Sequence, residues 1–400
     1  MMKKRSLVSL LTVCALTASA CTSWVVMPDK SASGRMLLHK SRDQHLSLLD
    51  AHIRVTPNGV RWMCIGAAGR AMFSLNERGL ALTSNSGDAI FGKITKKPPK
   101  GLPGLNASLA DKARDAEEGA KHVRDFGRAG GRTKGGLFLL ADAKRAFTIE
   151  IASGYGEMME IPGWLYVISN SMHLGGCEGF VFRPTTTFRS HRAREAKTRA
   201  ELQRTQVDGK YTIAGVFRTS RLTGGATPFN RYSLSAVCFE LDPEFPEMID
   251  CAYIALGPQQ HTVYVPTPMA LEQFPEDMRN GKWAARALAL RMKIGDDHKY
   301  LPRIEALEAE FLAEFAATRE AARKLLREGK RDEAKKLLNA TYRNHYSRAK
   351  ELLKRIAEAA GVEPDPPILK RKDEARYHKA IADSTAKNTK RPQNKEPKKK

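Results

Sequence analysis

No apolar run in this 400-residue chain is long enough to cross a bilayer. The apolar stretch Ser6 to Leu16 covers about eleven residues, where a span takes roughly 20. Cysteines number only six, and none forms a C-x-x-C pair, which argues against a structural zinc site. There is no P-loop, no dinucleotide-binding glycine fingerprint and no repeat period. Acidic residues are in short supply: 44 Asp and Glu face 67 Lys and Arg, a formal net charge of +23. That excess suggests affinity for anionic surfaces or polymers. No aromatic-interleaved basic motif accompanies it, so nucleic-acid binding is a weak reading.

What is present begins with a leader. Lys3, Lys4 and Arg5 precede the apolar run, and Ala18-Ser19-Ala20 follows it. Basic, apolar and small-residue regions in that order read as an export signal. Cleavage after Ala20 would make Cys21 the first residue. An α-amine titrates near 7.7–8.0 and a free thiol near 8.5, so the amine can take the thiol proton near neutral pH. A nucleophile activated by its own α-amine is a known route to acyl transfer. A lipid anchor on Cys21 competes with this reading, because lipidation would consume the thiol. The position three before the cysteine is Ala18 and not the leucine usual in lipoprotein signals.

Cys14 leaves with the leader. Cys64, Cys177, Cys238 and Cys251 remain, and two disulfides or four buried thiols are both open. Residues 21 to about 265 read mostly as strands. Hairpin turns are expected at Asn76 to Gly79, with Gly79 at positive φ, and at Asp142 to Arg145. Helices are expected over Asp111 to Phe126 and Ser190 to Gln206. Many hairpins and few helical crossovers imply an α+β fold with antiparallel sheets and helices outside.

From Leu301 to Ile356 the pattern turns helical. Ile304, Leu307, Phe311 and Phe315 recur at three- and four-residue steps. Gly329 breaks the run, and Leu337, Leu338, Tyr342, Tyr346, Leu352 and Ile356 continue it as a second helix. Residues 363–400 then hold twelve Lys or Arg against six Asp or Glu, a net +6, and are expected to stay unfolded. The organisation is a leader (1–20), a main domain (21–285), a helical extension (286–360) and a basic disordered tail (361–400).

Several residues stand where chemistry could use them. Asp43 ends the strand "HKSRD", and a carboxylate there would orient an α-ammonium. Asn85 ends "GLALTSN" and Asn170 ends "WLYVISN". A side-chain amide at a strand mouth can donate to a developing oxyanion.

"CTSWVV…GRMLLHKSRDQ" resembles the opening of the Ntn-type linear amide C–N hydrolases. These include choloylglycine hydrolases, acyltransferases acting on 6-aminopenicillanic acid, and secreted cysteine dipeptidases. "NERGLALTSN" and "YVISN" resemble further segments of that family. "CAYIALGPQQHTVYVP" and the helices from Tyr300 to Ile356 are similar to its dipeptidase branch. The resemblance implies a four-layer αββα fold and an acyl-enzyme mechanism that needs no metal or organic cofactor. It implies Cys21 as nucleophile and, through its amine, as base. Asp43 would hold the α-amine, and Asn85 and Asn170 would bind the oxyanion or the scissile amide. The family's arginine falls at Lys40, which keeps the charge but loses the bidentate fork. A further arginine would be Arg218 or Arg221. The implied substrates are short peptides, with N-acyl amides as runner-up, and the place of action is periplasmic or extracellular. A contrasting reading is an anchored or secreted cationic binding protein with its active part in the tail, held to anionic envelope polymers.

Overall fold

The protein is described by a computed structural model, which covers residues 21–67, 70–91, 102–130, 134–152, 154–174, 180–182 and 185–389. The expected leader, Cys14 and Cys177 lie outside the described residues. Fourteen strands are described: β1 (Thr22–Val26), β2 (Met36–Asp43), β3 (Leu49–Val55), β4 (Arg61–Ala67), β5 (Arg70–Asn76), β6 (Ala81–Phe91), β7 (Lys134–Ala141), β8 (Ala146–Ala152), β9 (Tyr155–Glu160), β10 (Leu165–Ile168), β11 (Phe180–Phe182), β12 (Ser233–Leu241), β13 (Cys251–Leu256) and β14 (Val265–Pro268). The helices are α1 (Leu102–Lys112), α2 (Ala116–Arg128), α3 (Thr185–Arg204), α4 (Ile213–Ser220), α5 (Pro246–Ile249), α6 (Glu276–Arg279), α7 (Lys282–Ile294), α8 (Leu301–Arg327), α9 (Arg331–Ala360) and α10 (Glu374–Thr389).

The strands form two sheets. One runs β10-β1-β2-β12-β13-β14 and the other β3-β4-β5-β6-β7-β8-β9, with β11 paired to β6. The described strand pairings are antiparallel; β3 to β6 and β7 to β9 run as successive hairpins, while β1–β10, β2–β12 and β6–β7 join strands distant in the chain. Alternation decides which side chains meet. Val25, Leu38, Val237 and Ile254 of the first sheet pack on Met63, Phe73, Leu75 and Leu139 of the second. The opposite face of the first sheet, with Trp24, Leu37 and Ala236, is covered by Val216 and Phe217 of α4 and by Phe315, Ala322 and Leu338 of α8 and α9. The opposite face of the second, with Leu82, Phe138 and Ile149, is covered by Leu105, Leu109, Ala120 and Val123 of α1 and α2. The result is the four-layer αββα arrangement expected from the sequence, on an α+β plan.

Both expected hairpin turns are present, and Gly79 has φ of 85°. Two expectations need correction. The helix expected over Asp111 to Phe126 is two helices, because Asp115 accepts from Glu118 N and caps α2 where α1 has already ended. The tail expected to be disordered from residue 361 instead carries α10. Tyr377 and Ile381 of α10, with Leu369 before it, join the central core. Their spacing of four residues (Tyr377 to Ile381) is a helical stripe within an otherwise charged segment. Cys238 and Cys251 are buried free thiols, and Cys64 is buried as well.

Candidate active site

Cys21 stands immediately before β1, which lies between β10 and β2. Thr22 pairs with Ser41 and Ser23 with Lys40, so continuing the register sets Cys21 opposite Arg42. On the other side Ser23 pairs with Ile168, which brings Ser169 and Asn170 alongside Cys21. The Cys21 thiol donates to the Asp43 carbonyl at 3.7 Å, and Ser169 Oγ donates to the Cys21 carbonyl at 3.0 Å. The cysteine is only 7% exposed.

Alternation along β2 turns Lys40 and Arg42 to one face and Asp43 to the other. Lys40 is fully buried; its ammonium donates to the Ser84 carbonyl on the second sheet. Burial lowers its pKa to about 8, against the opposing pull of Cys21. The Asp43 carboxylate accepts from Ser233 Oγ at 2.5 Å and from the Asn230 amide, with Arg194 of α3 at 3.9 Å. Burial still outweighs these partners and raises Asp43 to about 6.

The two asparagines come from different sheets. Asn85 on β6 accepts from Ser23 Oγ at 2.9 Å and donates from Nδ2 to the Ser169 carbonyl at 2.7 Å. Asn170 donates from Nδ2 to the Ser86 carbonyl at 2.5 Å, and its Oδ1 lies 3.3 Å from Ser169 Oγ. Each amide nitrogen carries two N–H groups, and one is used in these bonds. Glu195 of α3 accepts from Ser169 N at 2.9 Å and fixes the strand end that carries Asn170.

The five residues singled out in the sequence (Cys21, Lys40, Asp43, Asn85 and Asn170) therefore converge on one end of the sandwich. The undecided arginine does not join them. Arg221 is buried in a two-pronged ion pair with Glu308, both contacts at 2.7 Å, and donates to the Gln259 carbonyl. Arg218 is exposed on α4. The arginines at the site are Arg42 and Arg194. Arg42 sits in the quoted opening motif, where alternation with Lys40 was a readable signal. Arg194 lies on a uniformly charged helix and had none. Among the described residues, no group of three His, Cys, Asp or Glu side chains is placed to hold a metal ion.

No protein-family model and no curated protein matches the sequence. Solved structures do match in shape. An N-acylethanolamine-hydrolyzing acid amidase ortholog from Caenorhabditis elegans matches with TM-score 0.41 and 11% identity, covering 56% of this chain and 95% of its own. A mutant conjugated bile acid hydrolase from Clostridium perfringens matches with TM-score 0.43 and 8% identity, covering 65% and 98%. A second variant of that hydrolase gives 0.39 and 9%, covering 59% and 89%. Likeness this distant says nothing of residues or substrates, and the chemistry rests on the geometry of this chain.

Proposed function

We propose that the protein is an N-terminal-cysteine hydrolase of linear amides that works through an acyl-enzyme. One observation carries this reading: Cys21, Lys40, Asp43, Asn85 and Asn170, carried by four separate strands or their ends, come together at one end of the sandwich. Removal of residues 1–20 frees the Cys21 α-amine. The amine takes the thiol proton, and the Asp43 carboxylate steadies the resulting ammonium. Lys40 stabilises the thiolate from the facing strand. The thiolate attacks the amide carbonyl, and the remaining N–H groups of Asn85 and Asn170 receive the oxyanion. The ammonium returns its proton to the leaving amine, and water then releases the acyl group.

Short peptides are the proposed substrates, on the likeness of the late strands and C-terminal helices to the dipeptidase branch. Export to the periplasm or exterior is proposed from the leader, and weak contact with anionic envelope polymers from the charge of +23. The near-complete burial of Cys21 supports a free thiol over a lipid anchor, since a lipidated sulfur needs an open path for its chain.

The test is the mass and N-terminal sequence of the exported protein, with turnover of a dipeptide panel. A product beginning at free Cys21, active on amides and silenced by Cys21→Ala, is expected. A lipidated Cys21, or full activity with the α-amine blocked, overturns the reading.

A further inference from the structure

The turn that carries Asn170 is held at both ends by carboxylates. Glu195 of α3 takes the first N–H, that of Ser169. The far end is held from the second sheet. Glu150 on β8, 1% exposed, accepts from His173 N with one oxygen and from Leu174 N at 2.8 Å with the other. The Leu174 carbonyl accepts from Tyr155 Oη of β9 at 2.6 Å. The His173 ring donates from Nε2 to Glu195 Oε1 at 3.1 Å, and its Nδ1 accepts from Arg192 at 2.7 Å. A guanidinium can only donate, so this ring is the neutral tautomer with its proton on Nε2.

Packing alone gives no reason for an acid at this position. Alternation sets Glu150 on the inner face of the second sheet, opposite Leu137, where apolar residues otherwise pack. A buried carboxylate is costly unless hydrogen-bonded, and both of these bonds go to the turn. Among the described residues, the charged and titratable groups around it are His173 of the turn, Arg192 of α3, Glu157 opposite it on β9 and Tyr166 of β10, with Glu195 bonded to the His173 ring. Glu157 pairs with Arg128 of α2 at 2.9 Å, and burial holds the Tyr166 phenol in its protonated form. Burial raises Glu150 to about 7, against the pull of its two N–H bonds, His173 and Arg192. Both of its protonation states are therefore populated near neutral pH.

We infer that Glu150 is a positioning residue for Asn170: ionised, it ties down the far end of the turn, and protonated, it lets that end go, so the site has a held form and a slack form. The inference rests on the hydrolase reading for its effect on rate, but not for its effect on the turn. An ionised carboxylate only accepts, and its two oxygens match the two N–H groups. Protonation turns one oxygen into a donor aimed at an N–H, and that bond is lost. Glu195 still holds Ser169, so the slack falls on residues 170–174.

Amide hydrogen exchange of residues 170–174 in the full chain, corrected for the chemical exchange rate, reads the turn directly. Protection in the parent is expected to fall about tenfold from pH 8 to pH 6, as the ionised fraction does. In Glu150→Gln, which carries a donor at every pH, it should be low and flat. Glu150→Asp should keep part of the pH dependence. Flat protection in the parent overturns the inference, whether or not the variants fold. So does a fall that persists in Glu150→Gln, since that variant keeps His173 and the titration would belong to the ring. With protein processed to Cys21, Glu150→Gln at pH 8 should lose kcat on the order of 10- to 100-fold on a dipeptide substrate, with KM near the parent value. The parent-to-variant ratio should shrink toward one at pH 6, where the parent is itself protonated. A ratio constant from pH 6 to pH 8 belongs to a plain packing loss and overturns the inference, as does parental kcat in a folded Glu150→Gln. If the parent turns over no amide, the hydrolase reading fails by itself, and the exchange measurement alone decides Glu150.

Discussion

Ser23 Oγ donates to Asn85 Oδ1 across the gap between the two sheets, at 2.9 Å. This bond settles which way the Asn85 amide faces. The oxygen is held toward β1 and the nitrogen toward the Ser169 carbonyl. The residue two after the proposed nucleophile thus orients the proposed oxyanion donor. Asn85→Ala should lower kcat by about 100- to 1,000-fold, the usual cost of losing one such donor. Ser23→Ala should cost less, because Asn85 keeps its bond to Ser169. Single-turnover acylation rates check both. Equal losses would mean that Ser23 acts on the substrate itself.

Burial gives the site its pH signature. Lys40 is held at about 8 and must be charged to face a thiolate, so activity should fall above pH 8. Lys40→Arg keeps the charge at all working pH, so its alkaline limb should move out of range even if its rate is lower. An unchanged limb in this variant would assign the titration to another group.

Asp43 predicts a stability effect of opposite direction to the usual carboxylate. Its folded pKa of about 6 lies above the reference 3.8, so the folded protein binds the extra proton between those values. Its contribution to stability is full below pH 3.8 and is lost as pH rises through 6, by about 3 kcal/mol. Asp43→Asn should flatten this slope in denaturant titrations run from pH 4 to 7. A free α-ammonium beside Asp43 narrows the window, so the slope should be steeper with residues 1–20 retained.

The reading of the sequence succeeded where information was local. The Asn76-to-Gly79 turn, the strand ending at Asp43 and the stripe from Ile304 to Phe315 each declare themselves within a few residues. The site was half legible for the same reason: Cys21 opens a short motif, Lys40 sits inside one, and Asp43, Asn85 and Asn170 each close one. Arg194, Ser233 and Asn230 reach Asp43 from α3, from β12 and from the turn before it, and only the closed sheet brings them there. Arg221 was ambiguous because its partner, Glu308, lies 87 residues away on α8. The tail misled because its charge hides two apolar residues one helical turn apart.

Arg221 tests that distinction between site and brace. Removing one partner of a buried ion pair leaves the other uncompensated, at a cost of about 3–5 kcal/mol. Arg221→Met should lose that much stability in chemical denaturation, while KM at low temperature stays near the parent value. A large rise in KM without loss of stability would return Arg221 to the substrate site.

The C-terminal helix should matter to catalysis although it touches none of the five site residues. Leu369, Tyr377 and Ile381 are buried, each worth about 1.5–3 kcal/mol. Together they approach the whole stability of an ordinary domain, about 5–15 kcal/mol. The helix also reaches the site in two steps. It packs on α7, where Ser384 Oγ donates to the Met292 carbonyl and Thr385 Oγ1 accepts from Asp296 N. Next to these, Arg291 of α7 is fully buried, bonds Asp296 at 3.0 Å and donates to the Asn230 carbonyl at 3.3 Å. Asn230 in turn holds the Asp43 carboxylate. Deleting residues 390–400 should leave melting temperature and turnover unchanged. Deleting residues 369–400 should lower the melting temperature sharply. In whatever fraction stays folded and soluble, kcat should fall as well, because Arg291 and then Asn230 lose their backing. Full turnover by a soluble protein ending at residue 368 would show that Asp43 is held in place without α10.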